Sequence, residues 1–337
     1  MTSVNVKQVK KTYTVPKQLT GRFSSIRRLF SREKTLVHSL KGISFQIDKG
    51  ECVGVLGPNG CGKSTLIKTI TGLIQPTDGE VTVFNQKPSI HNIDFLKQIG
   101  VVFGHKNSLW WDLPLQESLQ SHCVMYGISP PEQRERLPKI LAALNLDKIL
   151  ERPVKLMSLG ERVKSELACQ MLHKPKLLVL DEPTVGLDVT SKLNLRQQIK
   201  KWCQEEGVSV LITTHDMNDV EACCDRIIMM QQGLVTYDGE LSALEKLTCQ
   251  YKVLQIEGLE SSLSEEQKKQ LVSKAKECSL LVDNQNPILG SHKVELFVKP
   301  ELSLSDITPI LKGFDDVDVQ LRRPSLESVF KESLCDS

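Results

Sequence analysis

The chain has 337 residues, a length typical of two domains at roughly 150 residues each. Its 40% hydrophobic and 25% charged residues exclude a collagen-like or wholly disordered protein. No run approaches the ~18 apolar residues needed to cross a bilayer, and the start lacks a signal-peptide stretch. We therefore expect a chain that neither spans a membrane nor is secreted. The ten cysteines are scattered without paired CxxC spacing, which favours free thiols in a reducing compartment.

Positive charge is concentrated at the N-terminus. The formal net charge is +2, but residues 1–41 contain ten Lys or Arg against one Glu, a local charge of +9. Arginines there are interleaved with Phe23, Ile26 and Phe30 at helical spacing. This pattern suits a helix at an anionic membrane surface or against a partner protein, or else a solvated helix covering the core domain. Nucleic acid is less favoured, because no aromatic stacking platform is evident.

Continuous apolar runs predict an α/β domain in the middle of the chain. Glu51–Gly57 reads as a short buried strand ended by Gly-Pro, and a helix follows from Lys63. Lys176–Pro183 and Val208–Thr214 are two further runs of this kind. Such runs suit central strands of a parallel sheet that is covered on both faces.

A helical region is expected between the first and second of these strands. The stretch Pro130–Lys174 reads as mostly helical. Val163, Leu167 and Met171 recur there at i, i+4 and i+8, which predicts one buried stripe.

After about Thr248 the pattern changes to that of a small α+β domain of about 85 residues. Tyr251–Gly258 and Lys293–Pro300 alternate like half-exposed strands. Ser261–Glu277 reads as a helix opened by Ser264, with acidic residues in its first turn.

The segment after the first strand matches a phosphate-binding loop. Its sequence, Gly57-Pro58-Asn59-Gly60-Cys61-Gly62-Lys63-Ser64, fits the pattern GxxxxGK(S/T) between a predicted strand and helix. Its glycines let backbone N–H groups converge on phosphate oxygens. We expect Lys63 to reach the β- and γ-phosphates of a nucleotide, Ser64 to ligate Mg²⁺, and Thr65 to join the same site. Cys61 lies near Lys63 and a helix N-terminus, which favours a reactive thiolate, although an unreactive small residue fits as well.

Two adjacent acids end the second apolar run. Asp181 and Glu182 follow Leu177–Leu180 at the carboxyl end of a predicted central strand, where ligands bind in α/β sheets. Asp181 suits Mg²⁺, directly or through water, and Glu182 suits polarising an attacking water. Two solvated loop acids are the alternative, which the complete phosphate loop disfavours.

Further motifs in the same order resemble those of the ABC ATPases. Ser158-Leu159-Gly160-Glu161, 23 residues before Asp181, is similar to the LSGGQ-type signature loop of that family. Pro183–Asp188 resembles the family's D-loop, and His215 its switch histidine. The resemblance covers about Val4–Leu247 and implies ATP as the nucleotide. GTPases are disfavoured, because the sequence contains no NKxD motif for recognising guanine.

The resemblance implies an α/β fold, namely a P-loop NTPase core of the ABC ATPase type over residues 1–247. That core has a mixed sheet, a basic insertion at about 16–34 and a helical subdomain at about 105–174. Residues 248–337 would form an accessory α+β domain that is regulatory or a dimer contact. The sequence gives this second domain no catalytic constellation.

The same resemblance implies that this chain pairs head to tail with a second copy or with a homologous ATPase subunit. Two ATP molecules with Mg²⁺ would then lie between the partners. Ser158 and Gly160 of one subunit, with Glu161 beside them, would bind the γ-phosphate held by Lys63 of the other. A helix N-cap role for Ser158 is compatible with this.

The remaining motif residues take roles implied by the family. Asp188 would organise the dimer contact, and His215 would hold the water and Glu182 at the γ-phosphate. Tyr13 resembles the aromatic residue that stacks on adenine. It lies 44 residues before Gly57, a long spacing that the insertion explains.

Two places depart from the family pattern. Gly104-His105 stand where most members carry a Gln that ligates Mg²⁺ and senses the membrane partner. His105 either substitutes for this Gln or is a solvated loop residue. Leu159 replaces the first signature glycine and Glu161 the glutamine, so a looser phosphate cradle is expected.

Three features resemble the ATPase subunits of bacterial-type exporters with a separately encoded permease: Trp110–Pro114, the basic insertion and Pro324–Phe330. The sequence thus predicts an ATPase held at the cytoplasmic face of the membrane by transmembrane permease subunits. One alternative is a soluble ABC ATPase acting on nucleic acid or ribosomes, which the single cassette and missing heptad run disfavour. Another is a weakly hydrolysing regulatory subunit, which Glu182 and His215 argue against.

Overall fold

The computed structural model describes residues 2–16, 34–104, 108–243, 252–258, 264–277, 281, 288–289, 293–311 and 317–322. The chain divides into two compact units, residues 1–239 and 240–337. The sequence-based boundary after residue 247 lies a few residues further along. The body of the basic insertion, His105 and Pro324–Phe330 lie outside the described residues.

In the first unit the strands are β1 (Thr2–Pro16), β2 (Lys34–Asp48), β3 (Cys52–Leu56), β4 (Asp78–Val83), β5 (Ile99–Phe103), β6 (Leu177–Asp181), β7 (Ser209–Thr214), β8 (Arg226–Gln231) and β9 (Leu234–Glu240). The helices are α1 (Lys63–Ile70), α2 (Ile93–Leu96), α3 (Leu115–Tyr126), α4 (Pro130–Leu144), α5 (Leu159–Met171), α6 (Val189–Glu206) and α7 (Met217–Cys223). Short 3-10 turns at Asp147–Ile149 and Val154–Leu156 separate α4 from α5.

The central sheet has the strand order β5-β6-β7-β3-β8-β9, and β5, β6, β7, β3 and β8 run parallel. Every residue of β3 and β7 is buried. Continuous apolar runs form such strands because both faces of the sheet are covered. The predicted central parallel strands are thereby confirmed. This order also brings the carboxyl ends of β6, β7 and β3 together at one edge.

A second, antiparallel sheet has the order β2-β1-β4. Alternate residues of β1 and β2 enter the same core as the apolar face of α1 and the interior of β3: Val4, Val6, Ile43, Phe45, Val53, Val55, Leu66, Ile67 and Ile70. Full burial of each large apolar side chain contributes about 1.5–3 kcal/mol. This shared core therefore fixes α1, and with it the loop from which α1 starts.

The helices α3, α4 and α5 form the predicted helical region. The predicted stripe on α5 is buried at Val163, Leu167 and Met171. Within the described ranges, no helix combines the length and apolar content needed to cross a bilayer.

Three aromatic rings stack between the helical region and the central sheet. The ring of Tyr126 lies 4.0 Å from that of His173 and 5.1 Å from that of His122. His173 Nε2 lies 3.0 Å from the carbonyl oxygen of Ile99, the first residue of β5. Burial lowers the pKa of His173 to about 4, and nearby Arg136 acts in the same direction. Burial also lowers the pKa of His122.

The second unit contains β10 (Lys252–Gly258), β11 (Ile288–Leu289), β12 (Lys293–Val298) and β13 (Val317–Arg322), with helices α8 (Glu265–Glu277) and α9 (Leu304–Leu311). Its strands form an antiparallel sheet in the order β11-β12-β10-β13. Leu254, Ile256, Leu271, Val294 and Leu296 belong to its apolar core. Ser264 caps α8 by accepting the Gln267 N–H at 3.2 Å. The predicted α+β domain is thus confirmed.

The strand predicted at Lys293–Pro300 is present as β12, but the prediction that it is half-exposed was wrong. Residues 294–298 are all buried, including Phe297 and the carboxylate of Glu295. Glu295 is compensated by Lys293 at 2.8 Å and Arg322 at 2.9 Å. Alternation of polar and apolar residues does not imply exposure when cations neutralise the polar ones.

We predict that His173 makes the protein sensitive to acid. Because burial keeps the folded pKa near 4, the unfolded chain binds the proton more readily at any pH below about 6.5. The contribution of neutral His173 to the free energy of unfolding is therefore complete above about pH 6.5. It is lost progressively as the pH drops towards 4. This group alone should remove about 2 kcal/mol between pH 7 and pH 5.

The comparison is with His173→Phe, which keeps a ring against Tyr126 but cannot titrate. Urea unfolding at both pH values should show the wild type losing about 2 kcal/mol more than the variant. Equal losses in the two proteins would contradict the assignment.

Candidate active site

The phosphate loop joins β3 to α1 and needs glycine at two close approaches. Gly62, at the N-cap of α1, has φ +115°, and a Cβ there would lie 2.7 Å from the Ser39 carbonyl oxygen. A Cβ on Gly57 would lie 2.3 Å from the carbonyl oxygen of Met230. Gly60 has φ +81° and faces open space instead. The loop is thus packed on one side and open on the other.

Lys63 projects its ammonium into this loop. Its side chain is 5% exposed and donates to the carbonyl oxygens of Gly57 at 2.7 Å and Pro58 at 3.3 Å. Glu182 Oε1 lies 3.7 Å from Lys63 Nζ. A buried ammonium needs such partners, because desolvating an unpaired charge costs several kcal/mol.

A cavity of about 180 Å³ opens beside Lys63. It is lined by Ser39, Asn59, Gly60, Gly62, Lys63, Ser64, Thr65 and Glu182. Ser39 donates to Thr65 Oγ1 at 2.8 Å, which connects β2 to the first turn of α1. The cavity size and its hydroxyl, backbone and ammonium groups suit a chain of phosphates.

The two acids leave β6 in different directions. Asp181 Oδ1 accepts a hydrogen bond of 2.6 Å from the Thr213 hydroxyl on β7. Glu182 donates its N–H to the Thr213 carbonyl at 2.9 Å and has φ +52°. A positive φ is strained for a side chain of this size. In this backbone conformation the Glu182 carboxylate faces Lys63.

His215 approaches the same carboxylate from the end of β7. Its Nδ1 lies 3.5 Å from Glu182 Oε2, while Lys63 faces the other oxygen. About half of the imidazole is exposed. A carboxylate held between an ammonium and an imidazole can accept a proton or orient a water.

The signature residues lie on a different element. Ser158 is the N-cap of α5 and forms a capping box with Glu161: the Ser158 N–H donates to Glu161 at 2.8 Å, and Ser158 Oγ accepts the Glu161 N–H at 3.2 Å. Burial opposes ionisation of Glu161, but the Ser158 N–H and Arg152, at 2.8 Å, hold its pKa below the usual value. Among the described residues, the lining of the Lys63 cavity includes neither Ser158 nor Gly160.

Leu159 and Glu161, the two departures from the signature pattern, make different contacts in the structure. Leu159 packs on the D-loop, since a Cβ on Gly186 would lie 2.6 Å from its side chain. Gly160 is buried against α6, where a Cβ would meet the Ser191 hydroxyl at 3.0 Å. Glu161 serves the helix cap. Asp188 caps α6 by accepting the Ser191 N–H at 2.9 Å.

Tyr13 lies on β1 opposite Val37 of β2. Val37 is two residues before Ser39, which lines the cavity. Lys11 Nζ stands 5.4 Å from the centre of the Tyr13 ring. Within the part of the chain that the structure describes, the lining of the Lys63 cavity does not include Tyr13.

Of the two alternatives for Cys61, the structure favours an unreactive small residue over a reactive thiolate. The side chain is buried, and burial raises the pKa of the thiol, with Lys63 opposing this only in part. Its Sγ would lie 2.7 Å from a Cβ on Gly57, so it packs into the base of the loop. His105 lies outside the described residues, and its role stays a prediction.

Ser39 and Thr213 are site residues that sequence reasoning missed. Both sit in strands whose partners are distant in sequence: Ser39 bonds Thr65 and Thr213 bonds Asp181. Neither belongs to a local motif. Only the strand order shows that Ser39 lies next to the phosphate loop and Thr213 next to the acids.

Comparison with known proteins agrees with this geometry. Residues 40–185 match the family model described as ABC transporter. The ABC transporter ATP-binding protein NatA of Bacillus subtilis (strain 168) is 34% identical over 217 residues, 64% of this chain and 88% of NatA. The linearmycin resistance ATP-binding protein LnrL of the same organism is 36% identical over 201 residues, 60% of this chain and 63% of LnrL. Several longer relatives are matched over about a quarter of their length or less.

A solved structure extends the likeness to the fold. A dimeric ATP-binding cassette in a post-hydrolysis state, bound to ADP and Pi, has a TM-score of 0.59 and 28% sequence identity. The match covers 71% of this chain and 98% of that cassette. The chain is an ATP-binding, ATP-hydrolysing protein, and it belongs to the ABC transporter family.

Proposed function

We propose that this chain is the ATPase subunit of a transporter whose transmembrane permease is a separate chain, and that the transporter exports its substrate. The observation that carries the proposal is the Lys63–Glu182–His215 arrangement beside a cavity that suits phosphates. It supports hydrolysis of ATP, the energy source of such transporters. Attachment at the cytoplasmic face through the permease belongs to the same proposal.

The residues of the cavity take the roles that their chemistry suits. Lys63 binds the β- and γ-phosphates, displacing the loop carbonyls that now accept from it. Glu182 orients the attacking water, and His215 holds that carboxylate and the γ-phosphate together. Tyr13 stacks on the adenine.

Mg²⁺ fits the oxygen donors at this edge. Ser64 lines the cavity, and Asp181 ends the neighbouring strand β6. Hydroxyl and carboxylate oxygens, completed by phosphate oxygens and water, are the ligands that Mg²⁺ prefers. Among the described residues no group of three His, Cys, Asp or Glu side chains forms a metal site of its own. Bound Mg²⁺ would neutralise charge on the phosphates.

We further propose that two subunits complete each site. Ser158, with the free N–H groups at the start of α5, is available to a γ-phosphate held by another copy. Apolar side chains near it are exposed, among them Leu159, Val185 and Val189, the last 75% exposed. The dimeric cassette among the structural relatives supports this arrangement.

The surface around Trp110–Pro114 is the proposed permease contact. Trp110, Trp111 and Leu113 are exposed, and the Arg162 guanidinium lies 5.3 Å from the centre of the Trp111 ring. Glu166 on α5 accepts from the Ser108 hydroxyl and the Leu109 N–H, which ties this surface to the signature helix. The name of LnrL refers to linearmycin resistance, which agrees with export.

Glu182→Gln should trap the paired state. The amide keeps the size of the side chain but cannot accept a proton from water, so bound ATP persists. Light scattering of the variant at saturating ATP and Mg²⁺ should report a dimer. Glu182→Gln combined with Lys63→Ala, which weakens phosphate binding, is the control and should remain monomeric. A monomer in the single variant would contradict the proposal.

Shortening the basic insertion should weaken attachment to the permease. Pro16 and Lys34 are register partners, so residues 17–33 can be replaced by a two-residue Asn-Gly turn that keeps the hairpin. Co-purification with the permease should drop several-fold, because the arginine-rich contact is lost. ATP binding by the isolated chain should be unchanged. Undiminished co-purification would reject a docking role for the insertion.

A further inference from the structure

Asp219 is a buried carboxylate outside the cavity. It lies on α7 and is 1% exposed. Among the described residues, the lining of the Lys63 cavity does not include it. A carboxylate can be this deeply buried only when hydrogen bonds and an opposite charge compensate its lost hydration.

Both oxygens of Asp219 are engaged. Oδ2 accepts from the hydroxyls of Thr214, at 2.8 Å, and Thr184. Oδ1 accepts from the Arg196 guanidinium, with Nε at 2.9 Å and Nη2 also in contact. Charge-assisted bonds of this kind are stronger and more directional than neutral ones.

The three partner residues of Asp219 come from three different segments of the chain. Thr184 is two residues after Glu182, and Thr214 immediately precedes His215. Arg196 lies on α6, the helix that Asp188 caps. One carboxylate therefore joins the Glu182 loop, the His215 loop and the helix behind the D-loop.

We infer that Asp219 is a positioning residue for ATP hydrolysis, which holds the Glu182 and His215 loops in register through the hydroxyls of Thr184 and Thr214. The 3.5 Å separation of His215 Nδ1 and Glu182 Oε2 is the distance that it maintains. The inference rests on the proposed roles of Glu182 and His215. Misplacement of a reacting group by about 1 Å costs up to a hundredfold in rate, so such a brace affects turnover rather than binding.

Two variants of Thr214 distinguish a role of its hydroxyl in positioning the site from a role in the stability of the fold. Thr214→Val removes the hydroxyl and keeps the shape, whereas Thr214→Ser keeps the hydroxyl. Ser209→Ala is the matched control: it deletes a buried hydroxyl from the other end of β7, where Ser209 bonds Ser3 at 2.8 Å and the Gly50 N–H at 3.0 Å. Steady-state ATPase kinetics and unfolding midpoints are measured on the full chain with Mg²⁺ and ATP.

We expect Thr214→Val to lower kcat about tenfold with KM within about twofold of wild type. Thr214→Ser and Ser209→Ala should keep kcat within about twofold, although Ser209→Ala also loses stability. The inference is overturned if Thr214→Val matches Ser209→Ala in kcat, if Thr214→Ser is as slow as Thr214→Val, or if only KM changes. Wild type and Glu182→Gln run in the same assay: an inactive wild type or a fully active Glu182→Gln would overturn the proposed function as well.

Discussion

The ammonium of Lys63 is the charge on which the site depends. It is almost fully buried, so its stability requires the carbonyls of Gly57 and Pro58 and the nearby carboxylate of Glu182. Gly62 permits the turn that directs the Lys63 side chain into the loop. The apolar core around α1 holds that turn in place. On the proposed roles, phosphate oxygens would take over the pairing with Lys63 and leave the Glu182 carboxylate to orient the water.

The second constraint is that the phosphate loop and the signature residues lie apart within one chain. Lys63, Glu182 and His215 meet at the carboxyl edge of the central sheet, whereas Ser158 and Gly160 start the helix α5. Leu159, which stands at a signature glycine position, packs on Gly186 of the D-loop instead of entering a phosphate cradle. The signature and D-loop therefore form one surface with exposed apolar groups, which is where the proposed second copy would pack.

Local motifs carried most of what the sequence could predict. The central strands were evident from apolar runs, the phosphate loop from its glycine spacing, and α5 from its apolar stripe and the N-cap role of Ser158. Those signals act within one turn or strand. The sequence left the reactivity of Cys61 open, because the burial that raises the pKa of its thiol depends on the fold. Asp219 could not be found at all, since Thr184 and Arg196 lie 35 and 23 residues away.

On the proposed function, each nucleotide is hydrolysed between two subunits. The decisive measurement is the ATPase rate per chain at saturating ATP and Mg²⁺, taken across a wide dilution series together with light scattering. We expect the rate per chain to rise with chain concentration and to level off as dimers form. A rate per chain that stays constant down to concentrations where only monomers scatter would contradict it.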